Sequence, residues 1–150
     1  MSTNHDVSKL DDLIITLIDS VKGYEHSAEK AEAARYKGFF MEMAQDRRAA
    51  VTRLQEASRA AGGSPADYGS AAATLHRRIE DLRVALGGGD KAIVKEVERG
   101  EDYLKEEFDR VLADERMSPA AMAAVREAYG SVRRGHDEAS ALKHRLEDAD

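Results

Sequence analysis

Apolar residues in this chain recur at alternating steps of four and three, and that spacing limits the fold more than any other feature. Leu10, Ile14, Leu17, Val21, Tyr24 and Ala28 follow it through the first stretch. An α-helix turns once in about 3.6 residues, so such a series forms one apolar stripe along a helix. A second stripe holds Phe40, Met43, Arg47, Ala50 or Val51, and Leu54; a fourth holds Val94, Val97, Glu101, Leu104, Phe108 and Val111. A fifth runs through Met122, Val125, Tyr129, Val132, His136, Ala139 and Leu142. Between them, a shorter third stripe has Ala72, Leu75, Ile79, Leu82 and Leu86.

Start and stop signals set the boundaries. Ser8 followed by Asp11 resembles a capping box with Asp in place of Glu, so the first helix is expected from about Ser8 to Arg35. The second is expected from Lys37 to Ala61, where Gly62-Gly63-Ser64-Pro65 stops it. Ser70 opens the short third helix and Gly87-Gly88-Gly89 breaks it; Asp90 is expected to cap the fourth, which runs to about Arg116. Ser118 followed by Pro119 is a cap with Pro at the first helical position, opening a last helix to about Leu146.

Four long helices and one short one, in 150 residues, predict a single all-α domain over 1–150 with its ordered core about 8–147. The links near Lys37 and Met117 are short, so each predicts an antiparallel pair. The stretch from Gly62 to Gly89 is long enough to cross the length of the molecule. Two hairpins joined by a crossover make the ferritin-like antiparallel four-helix bundle with a short crossover helix.

Charge narrows the function. Charged residues make up 35% of the chain, but the signs are interspersed and the net charge is −6, so there is no basic stripe for nucleic acid. No apolar run approaches membrane-spanning length, the best being Leu13 to Ile18. The start, Met1 to Asp6, has no apolar signal core, and a cytoplasmic location is expected. The absence of cysteine excludes disulfides, thiolate catalysis and cysteine-based metal sites. The outer faces, rich in Arg and Glu, allow a homodimer but name no protein partner.

The residues that interrupt the stripes carry what chemistry there is: Glu25, Arg47, Glu101 and His136, with His76 beside its own stripe. Counted down from the first link and from the triple glycine, Glu25, Arg47, His76 and Glu101 each lie roughly 10 to 13 residues below the same end. Pairing the last two helices about Met117 places His136 opposite Glu98, within about one turn of Glu101. A polar layer is therefore expected. One reading makes it a buried ion-pair network, Glu25 with Arg47 and Glu101 with His136, that fixes helix register. The other makes it a metal site in which Glu25, His76, Glu101 and His136, with Glu98 as an additional ligand, hold iron, manganese or zinc.

Chemistry favours the first reading. Carboxylate-bridged di-metal bundles use a Glu-x-x-His on each of two helices. Here Arg133 stands three before His136, and helix two offers Ala44-x-x-Arg47. A guanidinium in the layer also repels a divalent cation. Elsewhere, the triple glycine lacks the flanking strand and Gly-Lys-Ser/Thr of a phosphate loop. His5, His26 and His144 read as surface residues, and Met41, Met43 and Met122 as core filler.

Several segments resemble a known family: Gly23-Tyr24-Glu25, Met43 to Leu54 with Arg47, Gly69-Ser70 leading to Leu75-His76-Arg77, Glu98-Arg99-Gly100-Glu101-Asp102, and His136-Asp137. They are similar to bacterial ferritin-like four-helix-bundle proteins carrying domain of unknown function 2383, across Leu10 to Leu146. The resemblance implies a ferritin-like fold and no assigned activity. With the stripes, it leads to the expectation of a structural or stress-associated bundle, non-enzymatic, with metal binding and redox activity as the alternative.

Overall fold

A computed structural model describes residues 3–69 and 89–148 of the chain. They form four helices: α1 (Thr3–Lys30), α2 (Ala34–Ala60), α3 (Asp90–Leu112) and α4 (Pro119–Asp148). No strand occurs among the described residues. The short helix expected over Ser70–Leu86 lies outside them, and so does His76.

The helix ends show which local signals prevailed. Pro119 opens α4, and the Ser118 hydroxyl accepts the Ala121 N–H at 3.2 Å, the capping geometry expected from sequence. At the end of α2, Gly62 adopts φ +91°, the Gly62 N–H bonds Arg59 O at 3.0 Å and the Gly63 N–H bonds Ser58 O at 2.8 Å. That pair of bonds is a Schellman motif, and a left-handed residue there favours glycine.

Tertiary contacts moved the other boundaries. α1 starts at Thr3, so Ser8 is an interior, exposed helical residue and caps nothing. The extra turn is held from outside: His5 Nε2 meets the Asp114 carboxylate at 2.7 Å, and buried Asp6 accepts the Ser118 N–H at 2.9 Å. α1 also ends earlier than expected, and the turn is at Ala31–Ala33 instead of near Lys37. Asp90 does not cap its own helix, whose N-cap is Gly89 at φ +80°. Its carboxylate accepts the Glu32 and Ala33 N–H groups at 2.7 and 3.0 Å, and so caps α2 from another helix. α3 stops at Leu112, short of Arg116, where the loop folds back on Asp114.

Each helix packs against two others: α1 against α2 and α3, and α4 against α2 and α3, with α1 and α4 barely in contact. The start of α1 lies by the end of α3 and its last turn by the start of α3, so these two run in opposite senses. Arg53 pairs with Glu127 and Asp46 with Arg134, which orders α2 and α4 likewise. Gly63 packs against Val7 at the start of α1, whereas Asp90 lies at its far end. The chain between α2 and α3 therefore joins opposite ends of the structure. Its first part lies on α1 and α2, where Asp11 accepts the Ala66 N–H at 2.9 Å and Tyr68 sits between Lys22 and Arg48.

The interior divides into two apolar clusters. One gathers residues such as Leu10, Leu17, Leu54, Phe108 and Val125; the other gathers Tyr24, Phe40, Met43, Val94 and Leu142. Met41, expected as core filler, is 59% exposed, while Met43 and Met122 are buried as expected. Between the clusters lies a polar layer.

Candidate functional site

The layer is built around one cation. Arg47 falls on the apolar stripe of α2, between Ala44 and Ala50, so its side chain enters the core and is 0% exposed. A guanidinium stays charged at any relevant pH and must keep its donors bonded. Groups from the other three helices meet that requirement. Nη2 donates to Glu101 Oε2 on α3 at 2.5 Å and to the Ser131 carbonyl on α4 at 3.4 Å. Nη1 donates to Ser20 Oγ on α1 at 2.8 Å, and Nε donates to Ser131 Oγ at 3.2 Å.

A second rank of bonds holds these partners. Tyr24 on α1 donates its hydroxyl to Glu101 Oε1 at 2.7 Å, and its ring centroid lies 5.7 Å from Arg47 Cζ. The Ser131 hydroxyl donates to Asp46 Oδ2 at 2.6 Å, and Asp46 Oδ1 accepts from Arg134 at 2.9 Å. Burial drives the Tyr24 phenol well above its ordinary pKa, and the Glu101 charge adds to the effect. For Arg47, burial works against the cation, but Glu101, Tyr24 and Asp46 outweigh it and the pKa is raised.

Space for the guanidinium comes from Gly135. A Cβ at that position would lie 2.7 Å from Met43 Cε and 3.0 Å from Glu101 Oε2, and would overlap Arg47 Nη2. This glycine is set by close approach; it turns no corner.

The expected pairs form differently. Glu25 does not meet Arg47; its half-exposed carboxylate binds Arg48 at 2.6 Å and Lys22 at 3.4 Å. Burial alone would raise its pKa, but the Arg48 hydrogen bond and the Lys22 charge leave it lowered. Glu101 does not meet His136; the His136 ring lies at the surface, with Nε2 2.7 Å from Asp102 and Nδ1 3.4 Å from Asp137. Glu98 pairs with Lys143 at 3.0 Å. Among the described residues of the expected layer, only Arg47 and Glu101 are brought together. Among the described residues, no three His, Asp or Glu side chains gather as metal ligands would.

Each displaced residue is one position from a residue that does occupy the layer: Tyr24 beside Glu25, Gly135 beside His136. One residue is about 100° around a helix, enough to exchange core for surface. Ser20, Tyr24, Asp46, Ser131 and Gly135 were missed. The available signal was Ser131 and Gly135 lying between Ala128 and Ala139 on the buried face of α4, small residues where a large neighbour needs room.

A family model described as Domain of unknown function (DUF2383) matches residues 6–114. The match takes in Tyr24, Arg47 and Glu101 and stops before α4, short of the Leu146 that the resemblance had suggested. No curated protein matches the chain.

Proposed function

We propose that this chain, which belongs to the family of domain of unknown function 2383, is a ferritin-like structural module of the cytoplasm, non-enzymatic, in which a guanidinium fills the central position that metal-carrying bundles give to an ion. The observation that carries the reading is Arg47, with 0% exposure and hydrogen bonds to α1, α3 and α4. A connection between opposite ends of the structure supports the ferritin-like crossover.

The physical role is register. An apolar stripe tolerates sliding or rotation, because one apolar contact replaces another at small cost. A buried cation tolerates neither, since leaving Glu101 strands two charges in the core. Replacing both partners with Met and Leu (Arg47→Met with Glu101→Leu) should keep helix content and bring stability within about 2 kcal/mol of the parent. It should also broaden the amide NMR spectrum and the melting transition as alternative packings become populated. A double variant with wild-type dispersion and cooperativity refutes the register role. Elemental analysis of untagged protein incubated with iron, manganese and zinc tests the alternative reading: metal-free protein is expected, and about one tightly held equivalent would replace register by ligation.

A further inference from the structure

A cleft of about 410 Å³ opens between α1 and α3, lined by both partners of the Tyr24–Glu101 bond. Its size is within the range of small-molecule sites. The residue before each partner is a glycine, Gly23 on α1 and Gly100 on α3, and both line the cleft. A Cβ at either would meet nothing within 4 Å among the described residues. Glycine destabilises a helix interior relative to alanine, and no described neighbour requires it here. What the two glycines provide is open space beside bare backbone, a slot that takes a flat ring.

The inner wall contains a group with an unmet need. Ser27 follows Tyr24 by close to one turn of α1, lines the cleft and is 0% exposed. Its hydroxyl has no hydrogen-bond partner among the described residues. A buried hydroxyl left so is costly, and it has a proton to donate as well as lone pairs. Glu101 is buried on the same cleft, and its oxygens accept one bond each, from Tyr24 and from Arg47. Each oxygen keeps further accepting capacity. A single ligand hydroxyl matches both groups, since it can accept the Ser27 proton and donate its own to Glu101.

The charges around the cleft are already engaged within the protein. Glu96 pairs with Arg99 at 3.5 Å, Asp102 with His136 at 2.7 Å and Glu101 with Arg47, and Asp19 also has a partner. Glu106 is exposed to solvent. No surplus of either sign therefore selects an ion. An anion would be repelled by Glu101, and an ammonium group has no lone pair to accept the Ser27 proton. Val97, Leu104 and the Tyr24 residue supply apolar wall. These features describe an uncharged ligand, one hydroxyl on a flat apolar body.

We propose that the α1–α3 cleft binds a small uncharged phenol, its hydroxyl accepting from Ser27 and donating to Glu101, its ring in the slot beside Gly23 and Gly100 and against Val97 and Leu104. This goes beyond the register role of Arg47 and does not rest on it.

Phenol itself is the probe, uncharged at neutral pH because it loses its proton only near pH about 10. Toluene replaces the hydroxyl with a methyl group, and benzylamine carries an ammonium group. Calorimetry on the whole chain should show one phenol bound per chain, saturating below about 10 mM. The amide signals of Gly23, Ser27 and Gly100 should shift together in NMR spectra. Toluene and benzylamine should each bind at least about tenfold more weakly. Gly23→Leu fills the cleft from a position with room for a side chain and should abolish binding without lowering the melting temperature. Gly100→Leu should do the same from the opposite wall. Ser27→Ala should weaken phenol binding about threefold to tenfold and leave the weaker binding of toluene unchanged, a split that general loosening of α1 would not produce. The proposal is overturned if phenol fails to saturate, if toluene or benzylamine binds as well, or if a folded leucine variant binds like the parent. It is equally overturned if the shifts scatter over the surface instead of clustering at the cleft. A double variant of Arg47 and Glu101 that keeps its register would leave the Ser27 and Gly23 outcomes unaffected, so the two ideas fail separately.

Discussion

Replacing Gly135 with alanine adds one methyl group to α4, and the structure says where it goes. The new Cβ would lie 2.7 Å from Met43 Cε and 3.0 Å from Glu101 Oε2, and would overlap Arg47 Nη2. The end of Met43 is flexible and gives way cheaply. Arg47 is not free to do so, because Nη2, Nη1 and Nε are held by Glu101, Ser20 and Ser131. Overpacking costs about 1–3 kcal/mol, and driving Nη2 off Glu101 adds part of the roughly 3–5 kcal/mol that a broken buried pair loses. Alanine returns about 1 kcal/mol of helix propensity. The net expectation for Gly135→Ala is a loss of about 2 kcal/mol.

Gly130, on the same helix, provides the control, since a Cβ there meets nothing within 4 Å among the described residues. Gly130→Ala should gain about 0.5–1 kcal/mol from propensity alone. Urea denaturation followed by circular dichroism should move the two midpoints in opposite directions, by about 1 M downward for Gly135→Ala and a few tenths upward for Gly130→Ala. In thermal melts the first variant should lose about 6 °C. If Gly135→Ala is as stable as Gly130→Ala, the guanidinium does not occupy the space beside α4, and the account of the layer fails.

Two further predictions rest on single contacts. Asp90→Ala removes the acceptor of the Glu32 and Ala33 N–H groups and should cost about 1 kcal/mol in the same urea assay, with Asp90→Asn recovering part of it. Tyr24 is one of five tyrosines, and burial beside Glu101 holds its phenol well above its ordinary pKa. The unfolded chain therefore loses this proton first, near pH about 10, and stability must fall as pH rises beyond that point. Ultraviolet titration of tyrosinate should show a late step that coincides with melting of the helices, and Tyr24→Phe should diminish it. A late step that Tyr24→Phe leaves unchanged would contradict the buried Tyr24–Glu101 bond.

The all-helical class was legible in the chain because a period near 3.6 persists over every long stretch, and because Gly62 and Ser118-Pro119 act through bonds within their own helix ends. Counting residues from the turns also placed Arg47 and Glu101 at one height, since rise along a helix depends only on residue number. Rotation about the helix axis is a different quantity. Glu25 and His136 have the right height and the wrong azimuth, and the apolar stripes are broad enough to admit either assignment until neighbouring helices choose one. That choice follows from what fits: Gly135 admits the guanidinium where His136 would have filled the space, and Tyr24 reaches Glu101 where Glu25 would have added a second buried charge. The helix ends divide in the same way. A cap made by a residue's own helix is readable locally, whereas Asp90 capping α2, and His5 and Asp6 extending α1, depend on partners more than 50 residues away. Sequence set the heights of the polar groups, and packing set the direction each one faces, because only the assembled helices fix the volume and charge that each azimuth must accept.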